Sequence, residues 1–316
     1  MRRHCLMMAT TLLLMGCHRT QESTQVTATD SRAADVFVTS QLLLEMARSI
    51  SGDSLEIQKI TPNEVSSRHW KPKKGDIQKL QQAKAILING AGYEPWKARA
   101  SLPGSRVHDT SKGYHEQFIR IPDAVIHQHG PDGNHTHSGT VWATWLDPAL
   151  AMSQLSQVTN RLAELAPEQQ SQFERSSRDL KAKLESLDEQ VAQLALVVSE
   201  RNVTFVADGP FYQYLTKRLG VVELKYTHWD DAKRFGDLNC EELRTLVKTL
   251  PADGASRRLF LIDHRHSDEA VKCGAELGLI VIPMDLCEFP VGDNQPWVER
   301  LRGNVTRIKA AIAAIR

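Results

Sequence analysis

Residues 173–200 read FERSSRDLKAKLESLDEQVAQLALVVSE, with large apolar side chains at Phe173, Leu180, Leu184, Leu187, Val191 and Leu194. The steps of seven, four, three, four and three between them, with charged residues in the gaps, trace one face of a helix. Carried to about Glu200, such a helix is on the order of 40 Å long, enough to traverse two lobes instead of lying on one. The rival reading is one arm of an antiparallel coiled-coil hairpin, although no partner stretch of equal length follows or precedes it. As a connector it predicts an N-terminal lobe over 36–165, a linking helix over 166–200 and a C-terminal lobe over 201–316.

Both flanks carry the same rhythm. Before the helix, Val36–Ser40 is β-rich and runs into the helical pattern Leu42, Leu43, Leu44, Met46, Ala47, which closes near Gly52. Leu55–Ile60 alternates as a second strand, a helix starts at Lys73 to Asp76, and Lys84–Ile88 is a buried strand ending at Asn89-Gly90. Val107–Asp109 and Phe118–Ile121 are further short strand candidates. Beyond the helix, strands are expected at Val203–Ala207, Val221–Tyr226, Leu259–Ile262 and Leu279–Ile282, then a closing helix over Trp297–Ile315. Strands alternating with helices imply parallel sheets covered on both faces. The fold class is therefore α/β: two parallel-sheet lobes joined by one long rigid helix.

The later strands discharge polar residues at their carboxyl ends: Asp208, His228, Asp263 and Asp285. That edge of an open α/β sheet is where ligands bind. The first lobe contributes His69, on a polar loop, and a run from His127 to His137 in which His127, His129, His135 and His137 surround a Gly/Pro/Asn turn cluster. Neutral imidazoles suit zinc, and imidazoles mixed with carboxylates suit zinc or manganese. The expected metal site thus lies in the interlobe cleft. Plainer readings stand beside it: an unstructured polar loop for the histidine run, an ordinary loop histidine for His69, a turn or capping aspartate for Asp285, a plain strand end for His228, and solvated side chains for His264 and His266.

Lys and Arg number 39 against 38 Asp and Glu, which offers no basic field for nucleic acid. Residues 1–17 open on Arg2, Arg3 and His4, continue through a short apolar run from Leu6 to Met15, and end on Gly16-Cys17. That order is a secretory signal, with a buried N-terminal helix as the alternative. Residues 18–35 are poor in large apolar groups and read as a flexible tether. Cys240, Cys273 and Cys287 contain no CxxC pair; one disulfide and one thiol are possible, and the spacing does not choose the pair.

Several stretches, in order, resemble the zinc/manganese substrate-binding proteins of bacterial ABC importers. They are Arg68-His69-Trp70-Lys71-Pro72, Ala83–Gly90 with Glu94-Pro95-Trp96, the histidine run, Trp145-Leu146-Asp147-Pro148, Tyr212-Gln213-Tyr214-Leu215 with Arg218-Leu219-Gly220, and Asp285. Leu14-Met15-Gly16-Cys17 resembles a lipobox, which implies lipidation at Cys17. The family resemblance implies a monomeric extracytoplasmic protein, not an enzyme, that captures Zn2+ (alternatively Mn2+) and passes it to a membrane ABC permease. It implies His69 and Asp285 as ligands, but Ala143 and Gly209 stand where two further ligands are expected. His135 or His137 are the expected substitutes for the first, Asp208 or His228 for the second; His127, His129 and Asp263 are weaker candidates. Because imidazoles bind in the neutral form, affinity should fall below about pH 6.5. The alternatives are a degenerate member that binds a partner protein or another ligand, in the manner of an adhesin, and a secreted zinc hydrolase. No HExxH motif supports the hydrolase.

Overall fold

The first strand, β1 (Val36–Val38), is buried throughout and feeds directly into α1 (Gln41–Ser51). Ser40 caps that helix by accepting the Leu43 N–H at 3.2 Å, and Gly52 ends it with φ +53°, a left-handed turn that glycine takes at little cost. Replacing the cap with Ser40→Ala should cost about 1 kcal/mol in a denaturant titration; no shift in the unfolding midpoint would show that tertiary packing alone holds the helix start.

The computed structural model describes residues 34–121, 127–128, 134–135, 139–227, 239–251, 257–266, 268–292 and 295–315. After α1 come β2 (Ile57–Lys59), α2 (Lys74–Gln82), β3 (Ala85–Ile88), β4 (Val107–Asp109), the short pair β5 (His127–Gln128) and β6 (Asn134–His135), α3 (Pro148–Leu165) and α4 (Gln170–Glu200). The second half holds β7 (Thr204–Ala207), α5 (Gln213–Arg218), β8 (Lys225–Tyr226), α6 (Cys240–Lys248), β9 (Arg258–Asp263), α7 (Asp268–Glu276), β10 (Ile280–Met284) and α8 (Trp297–Ala314).

Two parallel four-stranded sheets result, ordered β2-β1-β3-β4 and β10-β9-β7-β8. Numbered within each lobe, both have the order 2-1-3-4, so each reverses direction beside its first strand, which is the binding crevice of such sheets. Pro283 sits within β10 without harm because β10 is an edge strand.

The helix α4 runs 31 residues, about 46 Å at the standard rise. Phe173, Leu184, Leu187, Val191, Leu194 and Val198 are buried, and Leu180 is only partly so. Helix α3 lies along it, and α1 and α8 also pack on it. The coiled-coil alternative thus survives in part, since α3 is a neighbour of 18 residues against 31. One continuous apolar cluster passes from Val36 and Leu87 through Phe173 and Val191 to Leu261 and Ile308. Burial of that kind couples the two lobes through packed side chains, not through a loose hinge.

Four expectations change. Val221–Tyr226 forms a strand only at Lys225–Tyr226, and Phe118–Ile121 supplies only the bridge between Arg120 and Thr140. The cysteine ambiguity closes on Cys240–Cys273, which joins α6 to α7 and leaves Cys287 a buried thiol. The His266 side chain is only 7% exposed, because it turns inward to Asp208 instead of to solvent. Among the described residues no helix is long and apolar enough to cross a membrane. The expected signal run, Cys17 and most of the tether lie outside the described residues.

Candidate metal centre

The first lobe's wall is a turn at Ser66–Trp70. The Ser66 carbonyl accepts the N–H groups of His69 and Trp70 at 3.0 and 3.1 Å. Neighbouring side chains pin it: Trp96 Nε1 donates to Ser67 Oγ at 3.2 Å, Arg68 Nη1 donates to the Gly92 carbonyl at 3.1 Å, and Trp70 meets Trp96 edge-on. His69 therefore stands on a stiff platform, as a pre-organised ligand requires.

Beneath the turn, Glu94 fills the crevice of the first sheet. Its carboxylate accepts Thr39 Oγ1 at 2.6 Å and the N–H groups of Asn89 and Gly90 at 2.8 and 3.0 Å. Gly90 has φ +79°, and a Cβ there would lie 2.0 Å from Asp109 Oδ1. No other residue fits this position. Burial pushes the Glu94 carboxyl up to about 7, the three hydrogen bonds pull against it, and Asp109 adds to the rise.

The second lobe's crevice is also filled by a carboxylate. Asp208 Oδ2 accepts the Asp263 N–H at 2.8 Å and lies 3.0 Å from His266 Nε2. Asp263 in turn is gripped by Arg265, through its N–H and Nε on Oδ1 and its Nη2 on Oδ2 at 2.8 Å. The Arg265 guanidinium stacks 3.8 Å over Phe289 and is 3.8 Å from Glu288 Oε2.

The lobes meet where the segment after β10 touches the first lobe. Glu288 Oε1 accepts Ser66 Oγ and Tyr93 OH, each at 2.9 Å, and Trp145 Nε1 donates to the Leu286 carbonyl at 2.9 Å. Ser66, Tyr93, Leu286 and Glu288 all lie on segments that follow β2, β3 and β10 at the carboxyl edges of the sheets, so the two crevices open toward one junction.

Of the expected first-lobe site residues whose side chains are described, His69 stands on the turn at this junction. Asp285 accepts Arg300 Nε on Oδ2 and Nη2 on Oδ1, both at 2.8 Å, and the Cys287 N–H at 2.7 Å. Burial works against its ionised form, but Arg300 prevails and holds the carboxyl below its ordinary value. Asp208 and Asp263 are committed to His266 and Arg265. His127 is paired in register with His135 through β5 and β6; His129, His137 and His228 lie outside the described residues. Ala143 is fully buried among Trp142, Trp145 and their neighbours. At Gly209 a Cβ would come within 2.4 Å of the Phe211 ring, so a ligand side chain there would have to displace Phe211. Among the described residues no three His, Cys, Asp or Glu side chains cluster so as to hold a metal.

Sequence reasoning missed Glu288, Arg265 and Arg300. The local signal for Arg265 was the mixture of charges in Asp263-His264-Arg265-His266, that for Glu288 was a second acid three residues after Asp285, and Arg300 had none. Arg300 and Glu288 take their roles from pairings across 15 and 222 residues.

Comparison with known proteins completes the picture. A family model described as zinc-uptake complex component A, periplasmic, matches residues 36–311. A protein of Treponema pallidum (strain Nichols), named a putative metal-binding protein, is 24% identical over 299 residues, covering 91% of this chain and 89% of that one. The high-affinity zinc uptake system protein of Bacillus subtilis (strain 168) is 24% identical over 219 residues, 65% of each chain. Among solved structures, the metal-dependent lipoprotein YcdH from Bacillus subtilis superposes with a TM-score of 0.68 at 18% identity, covering 87% of this chain and 97% of that one.

Proposed function

The chain belongs to the ZnuA family, the periplasmic component A of zinc-uptake complexes, and on that footing we propose that it captures zinc, with manganese as the alternative cargo, and delivers it to a membrane ABC permease. The family consists of solute-binding transport proteins of metal ABC importers, not enzymes. In our reading the chain works outside the cytoplasm as a monomer, tethered by residues 18–35 to a lipid on Cys17 once the signal ahead of that cysteine has been removed. The Cys240–Cys273 disulfide supports that compartment, because disulfides persist where the surroundings oxidise.

The observation that carries the proposal is the placement of His69: it rides a pinned turn whose Ser66 reaches across to the second lobe. The histidine run supplies the nitrogen ligand that Ala143 cannot, with His135 or His137 joining His69, and Asp208 or His228 stands in for Gly209. Asp285, its oxygens taken by Arg300, is the weakest of the expected ligands.

Metal analysis of protein purified without chelator, followed by zinc titration, tests this. The wild type should bind zinc below micromolar free metal, and His69→Ala should weaken binding by about 100-fold, the upper end of what a single supporting residue costs at a metal site. Excising 122–138 is a compatible second arm, since the Ile121 N–H bonds the Gly139 carbonyl and the loop ends are adjacent. A wild type that binds no zinc in that range sinks the reading. It would favour instead a member that has given up cargo for a partner protein, a reading supported by buried Ala143, by Phe211 against Gly209, and by the Asp285–Arg300 pair.

A further inference from the structure

The two acidic groups that follow β10 differ in what surrounds them. Asp285 faces its own lobe. Its partner Arg300 is itself nearly wholly buried, donates also to the Phe289 carbonyl at 2.9 Å, and lies 3.5 Å from Glu45. Asn304 closes the backbone of the same residue, accepting the Asp285 N–H and donating to its carbonyl, both at 2.8 Å. Both Asp285 oxygens are hydrogen-bonded to the Arg300 guanidinium at 2.8 Å, so a divalent cation there would have to break both bonds.

Glu288 faces the other way. Its side chain is fully buried, yet it spans the junction to reach Ser66 and Tyr93, and Ser66 closes the turn that carries His69. Such a four-residue turn keeps its first and last α-carbons within about 7 Å. Two hydroxyls on Oε1 fix the carboxylate and leave Oε2 directed toward Arg265. A carboxylate steadied on one oxygen by neutral donors is how metal-binding carboxylates are commonly oriented.

We infer that Glu288, not Asp285, is the carboxylate that the second lobe presents to the metal beside His69, and that Arg265 sets the affinity by placing a positive charge next to it. The inference rests on the metal-capture reading above. Arg265 is a positioning residue here: its bidentate hold on Asp263 keeps the guanidinium near Glu288 Oε2, where it must be outcompeted by an incoming cation. Removing that charge should tighten binding, an effect that loss of a merely structural residue would not produce.

The test is titration of the full-length chain with zinc and, separately, with manganese, alongside denaturant unfolding of each variant. Glu288→Gln keeps an oxygen for the two hydroxyls and removes the charge; it should bind the preferred metal at least tenfold more weakly while its unfolding midpoint stays near that of the wild type. Arg265→Gln should bind about tenfold more tightly. Asp285→Asn should unfold more easily but bind within about twofold of the wild type in its folded fraction. Because Asp285→Asn could fail to fold, Arg265→Gln/Glu288→Gln is the safeguard: it should lose the gain seen in Arg265→Gln alone. Wild-type affinity in Glu288→Gln, with the loss appearing in Asp285→Asn, overturns the assignment and leaves metal capture intact. A wild type that binds neither metal overturns both.

Discussion

Arg300→Met is expected to lower the unfolding free energy by about 3–5 kcal/mol, the range for removing one partner of a buried ion pair. The guanidinium is about 2% exposed and engages Asp285 on two oxygens, the Phe289 carbonyl, and Glu45 at 3.5 Å. Glu45 belongs to α1 in the first lobe and also accepts the Trp297 N–H at the start of α8, at 2.9 Å. Without Arg300, the Asp285 carboxylate stays buried with its counter-charge gone, and the link from α8 to α1 weakens with it. Chemical denaturation at neutral pH measures the loss. The Asp285→Asn/Arg300→Met double variant should recover a large part of it, because the uncompensated charge has then been removed. A single variant within about 1 kcal/mol of the wild type would mean that water or another cation solvates Asp285, contrary to the packing.

The pH dependence of this pair has a definite sign. The folded-state carboxyl of Asp285 is held below its ordinary value of 3.8, so its contribution is present above that value and is lost as pH falls through the folded value. The gap between wild type and Arg300→Met should therefore close in acid.

Glu94 is expected to produce the opposite trend. Its folded value of about 7 lies above the ordinary 4.5, so between these values the folded chain holds a proton that the unfolded chain has released. Stability from this group is complete below the ordinary value and is lost as pH rises through 7. The window is worth about 3 kcal/mol at 1.36 kcal/mol per unit. Glu94→Gln does not titrate, but its amide cannot accept the Gly90 N–H that Glu94 receives at 3.0 Å. The variant should be less stable than the wild type near pH 5, and the difference should shrink toward pH 8. Parallel stability curves for the two proteins across that range would show that Glu94 stays ionised in the fold. Comparing the pair, instead of reading the wild type alone, removes the histidines that titrate in the same interval.

Much of the architecture was legible because it rests on local periodicity. The stripe from Phe173 to Leu194 announced α4, Asp147-Pro148 announced the start of α3, and short apolar runs ending in polar residues announced the parallel strands. Asp147 does cap α3, accepting the Ala149 N–H at 2.8 Å. The helices α6 and α7 were not visible: they are nine residues each, with few buried apolar positions to set a period.

Side-chain commitments were a different matter. His69 was legible as a candidate because an imidazole beside Trp70 on a polar loop is conspicuous in any sequence. Asp285 was equally conspicuous, yet whether a carboxylate is open to a cation depends on what stands beside it, and Arg300 arrives 15 residues later on another element. Glu288 looked like one acidic residue among many until its hydroxyl partners, 195 and 222 residues away in the chain, were known.

By itself, then, the sequence determined two α/β lobes, a long helix between them, and a supply of histidines and carboxylates suited to a borderline metal. Those follow from hydrophobic spacing and residue chemistry, which act within a few turns of chain. Only the tertiary structure decided that Arg300 holds Asp285, that Phe211 crowds Gly209, and that Glu288 spans the lobes to the His69 turn. A buried charge takes its role from the partner that neutralises or orients it, and that partner is brought near only when the chain folds.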